Sequence, residues 1–290
     1  MSLEGISGNG MGGGALDGIS GAANGPVPGD DFAANLGLPA DAIAMAPPGK
    51  GTEQRELDKA LMAQDVYETN AAPPPGWRVA SQADLAAIGL TPADLTIPDS
   101  NFQARVYVAG SGSNTDYVVA FRGTEFTSLS DWNNNLRQGV GGDSPYYDQA
   151  IQIGRQTALS GADVEFVGHS LGGGMASAAA VASGYDASTY NAAGLSNNTI
   201  DRATAANPNG ASGEVTAYYV PGEILHNIQE DDSSLINGFD WVGKIAPDAY
   251  GNQVALEVDK PADVGWWNYG NSVSRHGMNW VLSGLRAGDQ

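Results

Sequence analysis

Apolar positions along this chain change their period several times, and each change predicts an element. Over residues 54–67 (QRELDKALMAQDVY), Leu57, Leu61 and Val66 recur at helical spacing, which predicts an amphipathic helix packed on a core. Pro73, Pro74 and Pro75 are expected to stop it. Residues 103–108 and 117–121 read as strands joined across a polar turn at 111–116. A helix over 147–159 leads into a buried strand at 163–167. A small-residue helix follows at 175–182 (MASAAAVA), then a short strand near 188–191. Residues 215–220 (VTAYYV) predict a further strand ended by Pro221-Gly222, and Met278, Val281, Leu282 and Leu285 mark a last helix. Strands alternating with helices predict an α/β fold, with a mostly parallel central sheet and helices on both faces. No internal repeat interrupts this order.

Residues 1–31 are rich in Gly, Ser, Ala and Asn and nearly lack large apolar groups, so they cannot offset the entropy of ordering. They are expected to form a flexible tail, with residues 32–290 as a single α/β domain long enough to bury a sizeable core. The formal net charge of -20, from 13 Lys+Arg against 33 Asp+Glu, opposes nucleic acid and a standing attachment to anionic membranes. Contact with a lipid interface would therefore be transient and apolar. The charge also keeps the protein soluble, and it identifies neither a substrate nor a protein partner. Without cysteine there is no disulfide framework, thiolate nucleophile or cysteine-ligated metal, which leaves the redox compartment open. The N-terminus lacks a basic start and an apolar segment, so no secretory leader is read there, and no span is apolar enough to cross a bilayer. The expectation is a protein that stays in the cytoplasm or leaves by another signal. No cofactor is expected. No His/Glu cluster has metal-ligand spacing, although calcium at scattered aspartates stays open.

The chemistry concentrates at Gly168-His169-Ser170-Leu171-Gly172. A serine between glycines, after an apolar run and before a small-residue helix, predicts a nucleophile elbow, where strand and helix cross too closely for bulky flanking residues. A serine hydroxyl is a weak nucleophile, so it requires an imidazole and a carboxylate that orients the imidazole. The chain offers three histidines. His169 adjoins the serine and should point away from its oxygen, as a supporting residue. His226 reads as a surface or lid residue. His276 stands before the last helix, and the serine, acid, histidine order of α/β-hydrolases favours it as base. The acid should follow a strand between these two, where Glu223 lies after residues 215–220; Asp231, Asp232, Asp240 and Asp248 compete with it. The Leu171 N–H and an N–H at Arg122-Gly123-Thr124 are the expected oxyanion donors.

Phe121-Arg122-Gly123-Thr124, then Asp131-Trp132, then Gly168-His169-Ser170-Leu171-Gly172 and a C-terminal histidine resemble the class 3, fungal-lipase-like α/β-hydrolases over about residues 103–285. The resemblance implies Thr124 as oxyanion residue, Ser170 as nucleophile, His276 as base, residues 125–132 near a lid, and carboxylic esters of lipids as substrates. The family usually has aspartate where this chain offers Glu223. Bacterial proteins of this look include phospholipases delivered as toxins, which leaves an effector role open.

The expected activity is hydrolysis of lipid esters, of lipase or phospholipase A type, through an acyl-enzyme. A short-chain esterase or thioesterase, or a hydrolase-like lipid-binding module without turnover, are the alternatives. Ile224, Leu225, Ile228, Leu235, Ile236, Phe239 and Trp241 read equally as a mobile lid or a core helix. Trp266, Trp267 and Tyr269 read as an acyl-pocket wall or as packing.

Overall fold

The structure, a computed structural model, describes residues 52–112, 114–123, 144–225, 247–258, 261, 265 and 272–287. The expected tail at 1–31, Thr124, the 125–132 segment, His226, Asp231, Asp232, Asp240 and the aromatic group at 266–269 lie outside the described residues.

Among the described residues, seven strands pair in the order in which they occur in the chain. β1 (Arg78–Val79), β2 (Ala104–Ser111) and β3 (Asn114–Phe121) are antiparallel. From β3 the sheet continues in parallel through β4 (Val164–His169), β5 (Ala187–Tyr190), β6 (Val215–Tyr219) and β7 (Asn252–Ala255). The mostly parallel sheet is as expected, with an antiparallel edge added at the N-terminal side. The polar turn at 111–116 is tighter than its composition suggests, because Ser111 pairs with Asn114 and both strands run into it.

Adding parallel strands always in one direction, with right-handed crossovers, sends the connecting helices to one face. α3 (Pro145–Ser160), α4 (Leu171–Ser183) and α5 (Asn197–Ala206) occupy the three successive crossovers from β3 to β6. The opposite face is covered by α1 (Glu53–Asp65) and α7 (Met278–Ala287). A short helix α2 (Gln82–Ala87), begun by a Ser81/Asp84 capping box, precedes β2. Alternation along β3 divides the core. Val119 and Phe121 join Phe166, Ile153 and Met175 on one side, and Val118 and Ala120 join Val167, Leu61 and Trp280 on the other. β4 is buried at every position, as a strand covered on both faces must be.

Two local expectations change. α1 ends at Asp65, ahead of Pro73–Pro75, because the Asp65 carboxylate collects the Ala72 N–H, the Tyr107 hydroxyl and the Arg105 guanidinium and turns the chain there. Its buried face also carries charge. Arg55 and Lys59 lie 2.7 Å and 2.6 Å from the two oxygens of Glu165 on β4. Burial would raise the Glu165 pKa, but the Lys59 and Arg55 charges outweigh it and hold the carboxyl below its ordinary value.

Candidate active site

Ser170 sits between the last residue of β4 and the first of α4, with φ 59° and ψ -127°. Few residues with a side chain adopt this conformation, and it costs about 1–3 kcal/mol. The neighbours hold it there. The Ser170 N–H donates to the Tyr190 carbonyl, and its own carbonyl accepts the N–H groups of Gly173 and Ala193, each at 3.0 Å. The flanking glycines are required by close approach. A Cβ on Gly168 would overlap the Gly172 carbonyl, and one on Gly172 would overlap the Phe121 carbonyl. Leu171 is the first helical residue, so its N–H has no acceptor within the helix and lies at the positive end of the α4 dipole.

Glu223 follows β6 after a turn in which Gly222 takes φ 77° and the Glu223 N–H donates to the Val220 carbonyl. His276 joins α6 (Ser272–Arg275) to α7. The structure brings these two together, with His276 Nδ1 2.7 Å from Glu223 Oε2. Only 1 % of Glu223 and 4 % of His276 is exposed, so His276 is part of the interior where its polar local sequence suggested a loop. A carboxylate accepts, so Nδ1 is the donor in this contact.

The turn bearing His276 is fastened to the strand ends beside Ser170. His169 Nε2 donates to the His276 carbonyl at 2.7 Å, and the two imidazole rings lie 4.7 Å apart. Asn191, directly after β5, donates to the same carbonyl from Nδ2 at 3.0 Å. The parallel register keeps His169, Tyr190 and Tyr218 level, so Ser170, Asn191 and the chain leading to Glu223 leave the sheet along its carboxyl edge. That edge is where α/β folds gather reacting groups.

His169 is unsuited to act as base. Its Nε2 is committed to the His276 carbonyl and its Nδ1 faces the Tyr67 hydroxyl at 3.3 Å. Burial, with the neighbouring His276 charge second, lowers its pKa to about 3. The Tyr67 hydroxyl also accepts the Gly123 N–H at 3.0 Å, which links the end of β3 to the same network. Of the competing carboxylates, Asp248 is exposed. Ile224 and Leu225 are buried beside Glu223. Sequence reasoning missed Asn191 and Tyr67. Asn191 had one signal, a polar residue closing a predicted strand at the sheet's carboxyl edge; Tyr67 had none. Among the described residues, no group of three or more His, Cys, Asp or Glu side chains could hold a metal ion, and no helix is long and apolar enough to cross a membrane.

Residues 58–262 match a phospholipase-like family described as the Tle-like phospholipase domain. Over 256 residues the chain is 33% identical to an extracellular phospholipase A1 from Serratia liquefaciens, covering 83% of this chain and 75% of that one. Among solved structures, it overlaps the Lip2 lipase of Yarrowia lipolytica with a TM-score of 0.42 and 14% identity, over 79% of this chain and 93% of that one. Carboxyl esterase 2 of Tuber melanosporum gives a TM-score of 0.23 and 13% identity, over 71% and 97%. These structural overlaps are too loose to bear on chemistry, and the fold is read from the sheet itself.

Proposed function

Because the chain belongs to the phospholipase-like family, as a Tle-like phospholipase domain, we propose that Ser170, His276 and Glu223 are its triad and that it removes the sn-1 acyl chain of phospholipids. The chain is a lipid ester hydrolase with a lipase-like α/β-hydrolase fold. The observation that carries the site assignment is the 2.7 Å contact of His276 Nδ1 with Glu223 Oε2, at the sheet edge where Ser170 occupies the elbow. The phospholipase A1 specificity rests on the named activity of the Serratia relative.

In this reading Ser170 Oγ attacks the ester carbonyl carbon while His276 Nε2 takes the hydroxyl proton. Glu223 holds the imidazole by its Nδ1–H and stabilises the imidazolium. Negative charge on the carbonyl oxygen is met by the Leu171 N–H and, following the family resemblance, by Thr124. Collapse breaks the bond to the glycerol oxygen, and His276 returns its proton to that leaving alcohol. A water, deprotonated by His276, then attacks the acyl-serine and frees the fatty acid and Ser170.

The test is mass spectrometry after incubation with mixed phospholipids and triacylglycerols, comparing the wild type with Ser170→Ala. The expected products are a fatty acid and a 2-acyl lysophospholipid, absent with the variant. A 1-acyl product would overturn the sn-1 assignment, and turnover by Ser170→Ala would overturn the nucleophile. Failure of the wild type to label with a fluorophosphonate would favour a binding module.

A further inference from the structure

Asn191 stands at a junction that the proposed chemistry does not use. It closes β5 with φ 44°, is 1 % exposed, and gives its backbone N–H to the Tyr218 carbonyl. Its side chain reaches both ways. Nδ2 donates to the His276 carbonyl at 3.0 Å and to the Arg275 carbonyl at 3.3 Å, and Oδ1 accepts the Val220 N–H at 2.9 Å. Val220 is the residue before the Pro221-Gly222-Glu223 turn.

We infer that Asn191 is a positioning residue, whose amide ties the turn carrying His276 to the turn carrying Glu223 and so fixes base and acid in one frame at the end of β5. The inference rests on the reading of Ser170, His276 and Glu223 as the reacting groups, and adds the device that registers two of them.

The residue type suits both demands. An amide supplies an acceptor and two donors from one planar group, which no carboxylate or hydroxyl of similar length does. Asparagine is also among the few residues with a Cβ that tolerate positive φ. The second lone pair of the His276 carbonyl is taken by His169 Nε2–H at 2.7 Å. The turn therefore cannot lift or slide without stranding two buried donors and a buried acceptor. Since Asn191 binds main-chain atoms on both sides, it sets where the imidazole starts from, while Glu223 sets how it is rotated.

Two variants test this beside Ser170→Ala, using a p-nitrophenyl ester of medium chain length. Asn191→Gly accepts the backbone conformation but removes the bridge. Its kcat should fall about 10- to 100-fold, the scale expected when reacting groups shift by a fraction of an ångström to an ångström, with KM little changed. Asn191→Asp keeps an acceptor for the Val220 N–H but sets a carboxylate against two carbonyls at neutral pH. Burial raises the pKa of that introduced carboxyl group, and once protonated it regains a donor for the His276 carbonyl. The ratio of variant to wild-type kcat should therefore rise as pH falls, a response that a merely structural residue would not give. The titratable and charged groups on the joined elements, His169, Arg275, His276 and Glu223, are present in both proteins, so a difference between the two pH profiles traces to the introduced carboxyl group and its field on them. Wild-type kcat in Asn191→Gly, or a flat ratio in Asn191→Asp, overturns the inference while a silent Ser170→Ala leaves the triad standing. Turnover by Ser170→Ala overturns both.

Discussion

Replacing Ser170 by glycine should make the protein inactive and more stable at once. The elbow holds Ser170 at φ 59° and ψ -127°, a conformation that costs a residue with a Cβ about 1–3 kcal/mol and glycine almost nothing. Against this stands the greater entropy that glycine loses on folding, about 0.5–1 kcal/mol relative to alanine. The central values leave a gain of about 1 kcal/mol, which for a domain of this size raises the melting temperature by about 2–4 °C. Ser170→Ala is the control, since alanine also removes the hydroxyl but keeps the Cβ and hence the strain. The assay is thermal or urea unfolding of both variants, with hydrolysis measured in parallel. If Ser170→Gly is no more stable than Ser170→Ala, the elbow is not strained and the argument from its backbone is wrong.

Two further predictions concern stability. Glu165→Ala leaves the buried Arg55 and Lys59 without the carboxylate that faces both, and should cost about 3–5 kcal/mol in urea unfolding. Because the folded pKa of Glu165 is lowered, its contribution is full above the ordinary carboxyl range and fades only as pH drops through the lower folded value. His169 acts at higher pH: it stays neutral in the fold down to about pH 3, but takes a proton near pH 6.5 once unfolded. The unfolded state then binds the extra proton, so stability falls as pH drops below 6.5. Between pH 7.5 and pH 5 wild type should lose about 2 kcal/mol more than His169→Gln, and equal losses would contradict a neutral buried imidazole.

The parallel sheet, its two helical layers and the strand-turn-helix at Ser170 were legible because each rests on a local period or a short spacing. Elements without such a period were not. α5 (NNTIDRATAA) buries Thr199 and Ala203, small residues that mark no apolar stripe, and β7 is a four-residue strand left largely exposed. Nor does the apolar period of α1 show that Arg55 and Lys59 are buried, since the carboxylate they share lies on β4, over a hundred residues away. Glu223 and His276 could be nominated from chain order and strand ends. What registers them could not, since Asn191 binds backbone atoms 29 and 85 residues distant and such partners leave no trace in side-chain pattern.

The same register explains how glutamate can stand where aspartate is usual. Ser170, the proposed nucleophile, follows β4 and Glu223, the proposed acid, follows β6, with β5 between them. Two strand spacings, about 10 Å, separate their roots. In the proposed triad the His276 imidazole bridges that gap, and Asn191 anchors its turn at the intervening strand end. A longer acid shortens the span that remains, provided its extra methylene does not let the carboxylate wander. Glu223 is restrained on that point by its own turn. Oε2, the atom that meets His276 Nδ1, also accepts the Leu225 N–H at 2.9 Å, while the Glu223 N–H is held by the Val220 carbonyl. The carboxylate is thus aimed by one main-chain N–H while a second main-chain bond holds the backbone it springs from, and added side-chain length becomes reach without becoming freedom.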